Sequence, residues 1–96
     1  MIVWVIYDIQ DDKVRAKVAK ACLQSGLYRV QYSAFIGKLD THQKDSLKLR
    51  IAELIDADKD KVYIFPMSKD ELVQTVLLGQ AFDKKFVTDE VKSLFF

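Results

Sequence analysis

From Met1 to Tyr7 the chain reads MIVWVIY, and the next residue is Asp8. Apolar and polar residues do not alternate in this run. It therefore predicts a strand covered on both faces, central in a sheet. The run ends on a carboxylate, with Asp11 and Asp12 close behind. An ionised carboxylate at the end of a buried strand costs on the order of a few kcal/mol unless it is paired or bound. Asp8 thus has two readings. It accepts hydrogen bonds from the backbone N–H groups that open a following helix. Alternatively it supplies an oxygen to a hard cation such as Mg2+, which keeps most of its waters and often takes only one or two protein carboxylates.

Downstream, Asp11 and Asp12 make an acidic helix start. Val14, Val18, Ala21, Cys22 and Ser25 recur at helical spacing on one face, and Gly26 suits the C′ position where the helix stops. Lys13, Lys17, Lys20 and Gln24 form a separate polar stripe. The stretch LYRVQYSAFIGKLD, rich in β-branched and aromatic residues, predicts a short strand at 28–31, a bend at Tyr32 and Ser33, and a second strand at 34–39. Asp40 and Gln43 stand at capping-box spacing, and Leu47, Ile51, Leu54 and Ile55 mark the apolar face of a second helix. Residues 56–61, DADKDK, read as a solvated loop. VYIFP is a further apolar strand that Pro66 is expected to end, SKDE a break, and LVQTVLLG a last strand running to Gly79.

The predicted order is strand, helix, strand, strand, helix, strand, with one strand in addition. Two helices crossing one face of a sheet give an α+β domain of the ferredoxin-like βαββαβ type. A chain of 96 residues forms one domain, 1–96. Residues 73–96, the final strand and a tail with four Phe, exceed what that plan requires. An apolar tail in water is a liability, so it is expected to pack on a partner copy, making the protein a dimer.

Several classes are excluded. Three Gly and one Pro do not make a disordered or low-complexity chain. No apolar run approaches the roughly 20 residues of a membrane helix. Met1 leads straight into the strand with no basic region before it, which reads as a cytoplasmic protein and not a secreted one. Cys22 is the one cysteine, so it forms no internal disulfide and no Cys-based zinc site, and its neighbours make it a small core residue. The net charge of +1 rules out nucleic-acid binding by bulk charge; any such binding must come from the arrangement of charges. His42 is alone and reads as a surface residue, Ser33 has no visible base partner, and no Gly-rich phosphate loop exists. Arg15 and Arg29, with Lys13, Lys17 and Lys20, are the candidate phosphate-facing cations. The plainer reading of the lysines is a solvated helix face. Arg29 opens an otherwise apolar strand and needs an acceptor.

YDI at the end of the first strand, then DDKVRAKVAKAC, GLYRVQYSAFIGKL and DKVYIFP, together resemble the Cas-two family of small CRISPR-associated adaptation proteins. The resemblance rests on the order and spacing of Asp8, Arg15, Gly26, Arg29, Gln31, Ser33 and Phe35. It implies a ferredoxin-like homodimer whose final strand joins the partner's sheet. It also implies a metal-binding aspartate at Asp8 and basic residues at Arg15 and Arg29 linked to the active face or to nucleic acid. Members are described as metal-dependent nucleases acting on RNA or duplex DNA with Mg2+ or another divalent cation, and as the scaffold of spacer integration that bridges two dimers of the CRISPR integrase. The chain departs from the pattern at Ala34 and Ile36, where relatives often carry a β-branched residue and an acid. On this reading Asp8 serves a divalent cation in a cleft between two subunits, and Arg15 or Arg29 offsets negative charge on the phosphodiester. The rival reading is a non-catalytic ferredoxin-like module that binds RNA or regulates. The Gly-aromatic strand motif of the RNA-recognition version is not present in RVQYSAFIGKL.

Overall fold

The computed structural model describes residues 1–79. Its central strand is β1 (Ile2–Asp8), followed by α1 (Asp12–Gln24), β2 (Tyr28–Gln31), β3 (Ala34–Lys38), α2 (Thr41–Leu54), β4 (Lys61–Met67) and α3 (Lys69–Gln74). The strands form one sheet in the order β2-β3-β1-β4. β1 is antiparallel to both β3 and β4, and β2 is antiparallel to β3. The apolar run of β1 is thus an inner strand with a neighbour on either side, as its lack of alternation requires.

The two faces of β1 are covered differently. Val3, Val5, Tyr7 and Ile9 point to the helix side, where Val18, Ala21 and Cys22 of α1 and Leu47 and Ile51 of α2 complete the main core with Phe35. Ile2 and Trp4 point the other way. They pack with Ile36 under Leu72 of α3, in a smaller cluster that Val30, Phe65 and Met67 border. This cover reaches only one end of the face. Toward the other end Ile6 is 37% exposed and Tyr63, opposite it on β4, is 59% exposed.

The local signals act as the sequence suggests in most places. Asp11 is the N-cap of α1 and accepts from the N–H groups of Lys13 and Val14. Gly26 follows the helix at φ +91°, a conformation that disfavours any residue with a Cβ. Asp40 and Gln43 form the capping box of α2. Gly37 has no room for a side chain, because a Cβ there would stand 2.8 Å from the Leu27 side chain.

Three expectations are corrected. β4 does not end at Pro66 but runs on to Met67; it is an edge strand, where a residue without N–H is tolerated. Lys61, assigned to the loop, is instead the first residue of β4. The stretch LVQTVLLG does not begin a strand. Its first residues belong to α3, because Ser68 and Glu71 make a second capping box and Leu72 anchors the turn in the small cluster. Residues 75–78 pair with no strand among the described residues, and the tail expected to dock on a partner lies mostly outside them. No described helix is long and apolar enough to cross a membrane.

Cys22 is fully buried under the sheet. Burial pushes its thiol up to about 12, so the reactive thiolate is not formed at neutral pH. A thiol reagent should label the native protein orders of magnitude more slowly than the unfolded chain. Because the folded value is raised, stability should also decline as the pH climbs from 9.0 toward about 12, where only the unfolded chain releases the proton. Titration of unfolding against pH checks the sign.

Candidate functional site

Asp8 closes β1 on the even-numbered side of the strand, the face that carries Ile6 and lies away from α1 and α2. Its side chain is exposed, and among the described residues it has no hydrogen-bond or ion-pair partner. The helix-capping reading of Asp8 is overturned, because Asp11 does that work at 2.9 and 3.0 Å. Those two backbone donors, that of Val14 foremost, hold the Asp11 carboxyl below the usual carboxylate range. Directly across from Asp8 in the β1–β4 ladder is Lys61, also exposed. No ion pair joins the two among the described residues.

Arg15 and Arg29 belong to the other side of the sheet. Arg15 sends Nη1 to the Ile9 carbonyl at 2.9 Å and Nε to the Tyr32 hydroxyl at 3.2 Å, and Nη2 meets the Asp12 carboxylate. The hydrogen bond to Tyr32, with that to Asp12, raises the Arg15 guanidinium above its ordinary value. Arg29 finds the acceptor its position demanded in the Tyr32 carbonyl, at 3.1 Å. Its guanidinium carbon lies 5.1 Å from the centre of the Phe35 ring and 5.5 Å from that of Tyr32, while that of Arg15 lies 5.4 Å from Tyr32. Both guanidinium groups therefore clasp the β2–β3 turn from the helix side. With Lys20, Tyr32 and the apolar side chains of Ala16, Ala19 and Leu23 they line a groove of about 380 Å3.

The candidate residues consequently fall into three places. Asp8 stands on the open face of the sheet. Arg15, Arg29 and Lys20 share the groove between α1 and β2. Lys13 and Lys17 are exposed on α1 and do not line that groove. The expectation that Arg15 or Arg29 faces a phosphate at Asp8 is not supported by the single chain, in which both are engaged behind the sheet. Tyr32, their common partner, enters the sequence reading only as a bend residue; it follows both arginines, and no spacing in the sequence marks it as their shared contact. His42 opens α2, which follows the end of β3 paired with Ile2, at the end of the sheet away from Asp8.

Among the described residues no group of three or more His, Cys, Asp or Glu side chains could hold a metal together. Among the described residues Asp8 stands at the end of β1 as a lone carboxylate without a hydrogen-bond or ion-pair partner, a donor that suits a hydrated hard cation and not zinc.

A four-stranded antiparallel sheet of this order, with two helices on one face and a carboxylate at the end of its first strand, defines a small ferredoxin-like α+β protein. The family model described as CRISPR associated protein Cas2 matches residues 1–75. The chain belongs to this family. It is 40% identical over 67 residues to the CRISPR-associated endoribonuclease Cas2 1 of Archaeoglobus fulgidus, covering 70% of this chain and 71% of the relative. It is 38% identical over 69 residues to a CRISPR-associated endonuclease Cas1/endonuclease Cas2 fusion of Thermoproteus tenax, covering 72% of this chain and 26% of the fusion. The crystal structure of Streptococcus pyogenes Cas2 at pH 6.5 superposes with a TM-score of 0.72 at 28% identity, covering 82% of this chain and all of that one.

Proposed function

We propose that this protein acts in CRISPR adaptation as a homodimer that binds the duplex DNA backbone and scaffolds the CRISPR integrase, and that Asp8 is the centre of a divalent-cation-dependent endonuclease activity on RNA or DNA. The observation that carries the enzymatic part is the release of Asp8 from any structural task. It is exposed and has no partner among the described residues, and Asp11 caps the helix in its place. The naming of relatives as endoribonucleases and endonucleases agrees with it. The integrase partner is supported by the Thermoproteus tenax relative, in which the region matched here is joined to endonuclease Cas1 in one chain.

Asp8 would hold the Mg2+ ion, which would supply Lewis acidity and charge neutralisation at the phosphodiester. The chain's own part is positional. Pairing of β1 with strands on both sides fixes the backbone under Asp8. Arg15 holds the carbonyl of Ile9, the next residue, and so fixes how the chain leaves the strand. Two copies meeting on the open face, where Ile6 and Tyr63 lie exposed, bring two Asp8 carboxylates toward one another. The test is Asp8→Asn, read for Mg2+-dependent cleavage and for integrase-dependent spacer capture: loss of the first with the second retained is expected, and full cleavage by the variant overturns the metal-ligand role.

Duplex binding in this proposal rests on Lys13, Lys17 and Lys20 of α1, with Arg15 and Arg29 beside them. Phosphate contacts of this kind tolerate any sequence and weaken steeply with salt. Changing the three lysines together to Ala should reduce the slope of log affinity against log salt by about one unit or less per residue. An unchanged slope in a filter-binding series returns them to a solvated helix face.

A further inference from the structure

We propose that Lys61 is the phosphate-contacting residue of the Asp8 site. The inference rests on the reading of Asp8 given above and assigns to that site a positive side chain of its own. The arginines expected there are held on the far side of the sheet by the Ile9 and Tyr32 carbonyls. Lys61 is the residue that the β1–β4 register places opposite Asp8, and both side chains are exposed. Directly opposed residues of an antiparallel pair share a face, with Cβ atoms about 4.5–5.5 Å apart. The ammonium is not drawn into an ion pair with Asp8 among the described residues. It is a mobile point charge on a four-carbon stem, able to reach an anion that approaches the carboxylate from the open face. The chemistry recognised is that of a phosphodiester oxygen beside a carboxylate-bound cation. RNA and DNA both present it.

The effect of removing this charge has opposite signs on two measurements. Lys61 repels a cation at Asp8 and attracts the phosphate that the cation serves. Lys61→Gln should therefore bind Mn2+ more tightly, by about threefold at moderate salt. It should also lose about tenfold to a hundredfold in kcat/KM, the usual worth of one charge-assisted hydrogen bond. Lys61→Arg should retain both wild-type values within a few-fold.

The experiment compares wild type, Lys61→Gln, Lys61→Arg and Asp8→Asn on a labelled single-stranded RNA and on a DNA duplex of the same sequence. Mn2+ affinity is followed by line broadening in NMR spectra. The opposed changes in Lys61→Gln, with rescue by Arg, support the inference, and the arm that shows them identifies the nucleic acid. Parallel loss of cation affinity and cleavage marks a structural role for Lys61 and overturns it. Unchanged cleavage in Lys61→Gln, with Asp8→Asn inactive, overturns it while leaving the proposed function standing. If wild type cleaves neither substrate, or Asp8→Asn cleaves as well as wild type, the reading of Asp8 fails and this inference with it.

Discussion

Asp8→Asn is expected to lose Mg2+-dependent phosphodiester cleavage by about a hundredfold or more, because on the proposed function it removes the charge that binds the divalent cation. The amide keeps the size and shape of the side chain. The carboxylate makes no contact among the described residues that the fold uses, so the thermal midpoint should stay close to that of wild type. Self-association should persist as well, since its apolar surface is untouched. Duplex binding and bridging of the integrase should survive, because in the proposed function those rest on basic side chains away from the open face. One variant thus separates two activities by cleavage, melting and spacer capture. A variant that cuts as well as wild type refutes the role of Asp8 in catalysis. Lost capture by a folded, dimeric variant refutes a chiefly scaffolding protein.

Light scattering after gel filtration should give the wild-type protein a mass of about twice 11.1 kDa at micromolar concentration. Ile6→Lys should weaken the dimer by about a hundredfold to a thousandfold, the loss seen when a central interface residue is replaced. The motivation is the uneven cover of the sheet. α3 and Leu72 shield Ile2, Trp4 and Ile36, but Ile6 and Tyr63 remain open, and Val76 and Leu78 follow α3 at 75% and 82% exposure. Apolar surface of this kind on a small domain is what the proposed subunit interface would cover. Ile6 sits between Ala34 and Tyr63 in the ladder, at the middle of that opening. The substitution faces away from the main core, so far-ultraviolet circular dichroism should be retained. A monodisperse wild-type monomer would remove the dimer and the shared cation together. A dimer unaffected by Ile6→Lys would move the interface elsewhere.

Much of the architecture was legible because its determinants are local. The unbroken apolar run fixed β1 as an inner strand, Asp11 and the Asp40–Gln43 pair announced their helices, and Gly26 marked a turn that needs positive φ. Even the bend at Tyr32 and Ser33, with no Gly or Pro, fell where the β-rich stretch was too long for one strand. α3 is harder to read although its capping box is present: Ser68 and Glu71 have the spacing, but the apolar run after them has β-forming composition. There the cap and the anchoring of Leu72 outweigh the preference of Val73 and Thr75 for a strand.

The site was legible only in part, for a different reason. That Asp8 ends a strand can be read from its neighbours. Which side chain stands across from it depends on the register of a strand more than fifty residues away. DADKDK looks like a uniform polar loop, and nothing within it distinguishes Lys61 from Lys59. Only pairing with β1 does so. In the same way, the basic character of Arg15 and Arg29 was visible, but their side of the sheet follows from strand parity and helix placement together. Arg29 pairs with Phe35, which faces the helices with Val5.

Pro66 sets a limit on how far this molecule can grow. β4 is the outermost strand beside β1, and a proline there turns its donorless nitrogen outward. A strand that adds to this border can zip along the stretch before Pro66 but meets a missing rung at it. The permitted overlap is short, which favours one register over a family of slipped ones. It also makes this border a poorer template for edge-to-edge pairing with further copies.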